Sequence, residues 1–262
     1  MVVAENQSTK PLVRISGLKK RYGRGAYILE DINMSVAQGE FVSFIGPSGC
    51  GKSTLLKLIA SLSPTTAGDL VVDEKTPTEA RKEMAFIFQD STLLPWRTVT
   101  RNIELPLEVL KVSGDERKST CAHMRKLVGL DHVPNHYPRQ LSGGMKMRVS
   151  IARALSLEPK ILLLDEPFGA LDEMTRDRLN EQLLEIRAKQ NFTAFFVTHS
   201  VAEAVFLSSR IIVLAANPGR IYRDIPIPFD YPRSAATRES LEFQRCVAEV
   251  SHVLRAVNPE QA

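Results

Sequence analysis

Gly46-Pro47-Ser48-Gly49-Cys50-Gly51-Lys52-Ser53 places framing glycines, a lysine and a hydroxyl at fixed spacing. It matches G-x-x-x-x-G-K-[ST], the loop that wraps the phosphates of a nucleotide. Glycines let backbone N–H groups converge on an anion, and a helix starting at Lys52 adds the partial positive charge of its N-terminus. The pattern predicts phosphate contacts from Gly46, Pro47, Ser48, Gly49, Cys50, Gly51, Lys52, Ser53 and Thr54. Lys52 suits the β- and γ-phosphates, and Ser53 suits Mg²⁺. A chance glycine turn is the competing reading, and the strand pattern before the loop and helix pattern after it argue against that. For Cys50 the favoured reading is that backbone geometry matters and the thiol does not. The other reading is a reactive thiol whose pKa is lowered by the adjoining helix N-terminus.

A second constellation lies at Ile161-Leu162-Leu163-Leu164-Asp165-Glu166, four apolar residues ending in two carboxylates. A buried strand with this ending sets acids at the C-terminal edge of a sheet, where open α/β folds bind ligands. Asp165 suits coordination of Mg²⁺, and Glu166 suits polarising an attacking water. Without the phosphate loop, two surface acids at a strand end would explain the pair equally well.

The elements that must position these groups alternate. Strands are expected at 12–18, 28–36, 40–45, 69–73 and 84–88, and a helix at 52–62. From 99 to about 157 the pattern turns helical, as at 115–128, and reads as a helical subdomain inserted into an α/β core. Beyond Ser142 the order is helix to 157, strand 160–165, helix 173–190, strand 193–198, helix 201–208, strand 211–215. Such alternation predicts a parallel sheet covered on both faces. After Asn217-Pro218-Gly219 comes a Pro-rich tail and one helix at 238–256, with Phe243, Val247, Val250 and Leu254 on one face. The expected division is a flexible N-terminus at 1–11, an ATPase domain at 12–222 and a C-terminal extension at 223–262.

Composition narrows the class. The chain has 262 residues, 44% hydrophobic and 24% charged, enough to bury a sizeable core. Its formal net charge of +4 permits nucleotide binding and requires no nucleic acid. Short basic clusters such as Lys19–Arg21 and Lys146–Arg148 read as solvated surface. Three separated cysteines form no CxxC pair, so neither a zinc site nor a disulfide framework is indicated. The polar start lacks a signal peptide's apolar core, and no apolar run approaches the ~20 residues of a spanning helix. Any membrane association is therefore expected through a partner.

Further features fit one family. Leu141-Ser142-Gly143-Gly144-Met145 precedes the helix before Asp165; Gln89 follows the strand at 84–88; Ala170-Leu171-Asp172 follows the acidic pair; His199 ends the strand at 193–198; Tyr22 lies upstream of the phosphate loop. Together these resemble the nucleotide-binding subunits of ABC transporters, over about 12–222. The resemblance implies a P-loop NTPase core with a mostly parallel sheet, N-terminal antiparallel strands and the inserted helical subdomain. It implies ATP and Mg²⁺, with Ser53, Gln89 and Asp165 at the metal and Glu166, His199 and Gln89 serving hydrolysis. Tyr22 would stack on adenine, Ser142 and Gly144 would meet the γ-phosphate of ATP held by a second subunit, and Asp172 would link the two sites. Two nests of N–H donors in one chain are hard to use on a single nucleotide, and a head-to-tail dimer resolves this. The signature's usual final Gln is Met145 here, which puts any role of that side chain in doubt.

Leu93-Leu94-Pro95-Trp96 places apolar groups in a loop, as a docking surface does, and the competing reading is a loop folded back on its own core. With Met145–Arg148, Pro167–Ala170 and Asn217–Arg220, it resembles the nitrate/sulfonate/taurine group of bacterial importers. That resemblance implies transmembrane permease subunits, a periplasmic or lipoprotein solute-binding protein, and a peripheral place on the cytoplasmic face of the inner membrane. The ATPase of another small-solute, lipid or peptide transporter remains an alternative. A soluble ABC-type ATPase acting on DNA or ribosomes fits less well, since no long coiled coil, zinc module or second cassette interrupts the chain.

Overall fold

The computed structural model describes residues 10–257. Most of the stretch expected to be flexible, 1–9, lies outside the described residues. Three antiparallel strands open the chain: β1 (Val13–Lys20), β2 (Leu29–Val36) and, later, β4 (Ala67–Val72), in the order β2-β1-β4. Between them come β3 (Phe41–Ile45) and α1 (Lys52–Ile59). Then follow β5 (Met84–Ile87), α2 (Val99–Val109), α3 (Gly114–Leu127) and α4 (Gly143–Leu155). The remainder is β6 (Ile161–Asp165), α5 (Glu173–Gln190), β7 (Thr193–Val197), α6 (Val201–Leu207), β8 (Arg210–Ala215), β9 (Arg220–Pro226), α7 (Ala235–Glu239) and α8 (Leu241–Ala256).

The main sheet runs β5-β6-β7-β3-β8-β9, parallel except for the edge strand β9. Its central strands lack polar alternation because both faces are buried. Leu162 and Leu164 point into one apolar cluster, with Phe41, Ile45 and Phe196. Ile161 and Leu163 point into the other, with Phe44, Phe195 and the inner face of α1. The parallel order brings the C-terminal ends of β3, β5, β6 and β7 to one edge, which is where the candidate chemistry sits.

Three expectations need correction. The tail after Gly219 contains a strand, β9, which the Pro and charge content concealed. Exposed charges such as Arg220, Arg223 and Asp224 are what a solvent-facing edge strand tolerates. The boundary drawn at 222/223 therefore cuts that strand. The extension carries two helices and not one: the chain breaks at Ser240, whose hydroxyl accepts from Phe243 N–H at 3.1 Å and starts α8. Phe243 packs edge-on to Phe206 of α6 at 6.5 Å between centroids. Finally, Lys20 is not a solvated member of a basic cluster, being 4% exposed with its ammonium on the Pro64 carbonyl at 2.7 Å.

Candidate nucleotide site

The chain leaves β3 at Ile45, turns through the glycine loop and enters α1 at Lys52. Gly51 sits at φ 97°, a left-handed conformation that side chains resist, and so turns the chain into the helix. The loop forms one wall of an open cleft of roughly 430 Å³ lined by Ile28, Ser48, Gly49, Gly51, Lys52, Ser53, Thr54, Glu166 and His199. Lys52 is 5% exposed, and its ammonium donates to the Gly46 and Pro47 carbonyls at 2.9 Å each. Ser53 Oγ donates to Asp165 Oδ1 at 2.6 Å, joining the loop to the end of β6. Burial pushes the Asp165 carboxyl up, with the Ser53 hydroxyl pulling against it. A cation beside it would relieve that cost.

Glu166 has φ 50°, unusual for a side-chain-bearing residue. Its N–H is fixed by the Val197 carbonyl at 3.0 Å. That twist turns its carboxylate toward β7, where Glu166 Oε1 lies 2.6 Å from His199 Nε2. Gln89, past the end of β5, shares a neighbouring cavity with Glu166, Gly169 and His199. Ser53, Asp165 and Gln89 are hard oxygen donors, and Mg²⁺ combines one or two such groups with phosphate oxygens and water. The residues present thus fit that ion.

Other expected residues stand apart. Tyr22 does not line the cleft; it is 54% exposed with the Lys20 ammonium 4.6 Å from its ring centroid. Gly46 and Pro47 line a second cavity beside Ser251, Leu254 and Arg255 of α8. Cys50 is fully buried, and burial pushes its thiol up, so the reactive-thiol reading fails: desolvation outweighs the nearby Lys52 charge. Leu141, Ser142, Gly143, Gly144 and Met145 do not line the cleft that holds Lys52. Ser142 is exposed and caps α4 by accepting from Met145 N–H at 3.3 Å, while Met145 packs against the core. Asp172 caps α5, and the Thr175 N–H holds its carboxyl below the usual range.

Two residues of the site were not foreseen. Ile28 supplies an apolar wall to the cleft, and no spacing rule marks it. Gly219 braces the phosphate loop from behind: its N–H donates to the Ile28 carbonyl at 2.8 Å, and a Cβ there would run into the Cys50 carbonyl oxygen. Gly219→Ala is therefore expected to cost about 1–3 kcal/mol by overpacking against backbone. It should also weaken nucleotide binding by displacing the loop, which a thermal melt paired with a fluorescent-nucleotide titration would read.

The ABC transporter family model matches residues 29–169. A Brucella abortus protein provisionally described as an ATP-binding protein is 43% identical over 251 residues, covering 96% of both chains. An aliphatic sulfonates import ATP-binding protein of Bacillus cereus is 43% identical over 241 residues, covering 90% of this chain and 94% of the relative. Among solved structures, a dimeric ATP-binding cassette in a post-hydrolysis state with ADP and Pi superposes with a TM-score of 0.73 at 36% identity, covering 83% of this chain and all of that one. The chain belongs to the ABC transporter family and has the ABC ATPase fold. It is an ATP-binding subunit of such a transporter. Among the described residues no helix is long and apolar enough to cross a membrane.

Proposed function

We propose that this chain hydrolyses ATP to power an importer for nitrate, taurine or another sulfonate. The observation that carries the hydrolytic reading is the Glu166–His199 pair, 2.6 Å apart at the mouth of the cleft that holds Lys52 and Ser53. Lys52 meets the β- and γ-phosphates, and Ser53, Asp165 and Gln89 hold Mg²⁺. When bound, the ion neutralises charge developing on the phosphate oxygens. Glu166 takes the proton of the attacking water, and His199 keeps Glu166 aimed and contacts the γ-phosphate. Ser142 and Gly144 serve the nucleotide of a second copy, which agrees with their lying outside the chain's own cleft. Asp172, besides capping α5, faces that partner, and Tyr22 stacks on adenine.

Coupling to transmembrane permease subunits falls to the loop after Gln89. Trp96 is 71% exposed, whereas Leu93 and Leu94 are half-buried, with Leu94 held by Asn102. The loop's inner end is pinned to α4 by Arg153, which donates to the Ser91 and Thr92 carbonyls at 2.9 Å. Beside it an apolar cleft of about 400 Å³, lined by Phe86, Leu105, Val109, Leu110 and Ala154 among others, gives a permease helix somewhere to sit. Trp96→Ala is expected to cost about 2 kcal/mol or more of docking energy. Transport in vesicles should fall at least tenfold while ATPase of the isolated chain stays within twofold.

The substrate class rests on the resemblance of the loop and tail and on the Bacillus relative's name. A chromosomal Lys52→Ala allele tests it, with nitrate, taurine, alkyl or aryl sulfonates, or sulfate as sole nitrogen or sulfur source. A growth defect on one sulfonate or on nitrate supports the assignment. Growth on all of them overturns it and leaves the ATP-binding subunit.

A further inference from the structure

Behind the Glu166–His199 pair lies a cavity of about 270 Å³ reached by Gln89, Glu166, Gly169, Arg176, His199 and Glu203. Glu203, on α6, is 4% exposed, and burial pushes its carboxyl up. Sequence spacing gives no reason for a carboxylate there. A leucine of similar volume would fill the site without desolvating a charge, and buried ion pairs are poor sources of stability. What the carboxylate does is join two loops. Glu203 Oε2 accepts the hydroxyl of Thr198, which itself accepts from Ser200 N–H at 3.0 Å. Glu203 N–H donates to Ser200 Oγ at 3.3 Å. Both neighbours of His199 are therefore tied to this one residue. Glu203 Oε1 lies 3.8 Å from Arg176 Nε, with the buried Asn180 amide and the Arg238 guanidinium also close enough to favour its charged form. The other end of the Arg176 guanidinium donates to the Leu171 carbonyl at 2.8 Å, in the turn that follows Glu166 and Gly169.

We propose that Glu203 is a positioning residue for hydrolysis, locking the His199 loop through Thr198 and, through Arg176, to the turn that follows Glu166. The inference rests on the proposed hydrolytic roles of Glu166 and His199. Neither Glu203 nor Arg176 lines the nucleotide cleft, so the pair acts on the geometry of the reacting groups and not on affinity. A misplacement of about 1 Å in such groups costs up to roughly 100-fold in rate.

The test uses the full chain with Glu203→Gln, Glu203→Leu and the wild type. Steady-state ATPase, fluorescent-nucleotide affinity and thermal midpoint are read on each. Glutamine keeps an acceptor for Thr198 and loses the charge facing Arg176; leucine loses both. The expected result is a kcat lowered by about 10- to 100-fold in the leucine variant and less in the glutamine variant. Nucleotide affinity should stay within twofold in both variants, and kcat is compared per folded molecule because removing one partner of the Glu203–Arg176 pair also costs stability. Wild-type kcat per folded molecule in the leucine variant overturns the inference, as does a loss of kcat that only tracks lost affinity or lost fold. A wild-type chain that binds ATP without hydrolysing it removes the hydrolytic reading, and this inference with it. Hydrolysis by the wild type with unaltered variants removes the inference alone.

Discussion

Glu166→Gln is expected to lower ATP turnover by about 100- to 10,000-fold, the range spanned by loss of a positioned general base, while leaving ATP binding intact. The structure makes this substitution unusually clean. Glu166 owes its place to its backbone: φ of 50° and an N–H fixed on the Val197 carbonyl at 3.0 Å. Glutamine meets the same left-handed cost, so the turn after β6 keeps its shape. Its amide can still bond His199, 2.6 Å from the present carboxylate. What disappears is the capacity to accept a proton from water. Under the dimer reading, ATP then stays trapped between two copies, and light scattering coupled to gel filtration should show a dimer with ATP and a monomer with ADP. Turnover within a few-fold of wild type would remove Glu166 from the base role. A monomer with ATP would remove the trapped-dimer step.

The legible parts of this molecule were those where one local pattern meets one physical requirement. The glycine loop, the apolar strand ending in Asp165-Glu166 and the helix at Glu173–Gln190 belong there. In the last, Asp172 caps the start and Asn191, in a left-handed conformation, ends it. The adjacency of Glu166 and His199 was expected only through the family resemblance; in the structure it arises because β6 and β7 pair side by side and each ends one residue or two before its functional side chain. Illegible parts depended on contacts between distant segments. β9 is a strand because β8 offers it an edge, not because its charged sequence favours one. Gly219 matters because the Cys50 carbonyl, far away in sequence, leaves no room for a Cβ. The reactive-thiol alternative for Cys50 rests on helix-terminal charge, which the sequence shows, and fails on burial, which it does not show. Arg233 hides a similar surprise. In a Pro-rich tail it is 5% exposed and donates to the Val205, Phe206 and Ser208 carbonyls, closing the C-terminal end of α6. That bond set ties the extension to the helix carrying Glu203.

Lys52→Ala is expected to weaken ATP binding by about 30- to 4,000-fold, corresponding to roughly 2–5 kcal/mol for a desolvated charge contact. The polar neighbours bonded to the ammonium are neutral: two backbone carbonyls at 2.9 Å and the Cys50 sulfur at 3.7 Å. A nearly buried cation whose bonded partners are neutral is costly to the fold, a cost the Asp165 carboxylate offsets in part, and it gains most when an anion arrives. Alanine removes both the cost and the gain, and the open cleft admits water to the freed carbonyls. The free chain should consequently melt no lower than wild type. Yet ATP, which stabilises a binding-competent protein by about 2.7 kcal/mol at a hundred times Kd, should no longer raise the melting point at concentrations that saturate wild type. A lower melting point without nucleotide would make Lys52 a structural residue of the loop. An unchanged ATP-induced rise would take the phosphates away from Lys52 altogether. Retained melting point with a lost ATP response is the outcome that a phosphate-directed charge alone produces.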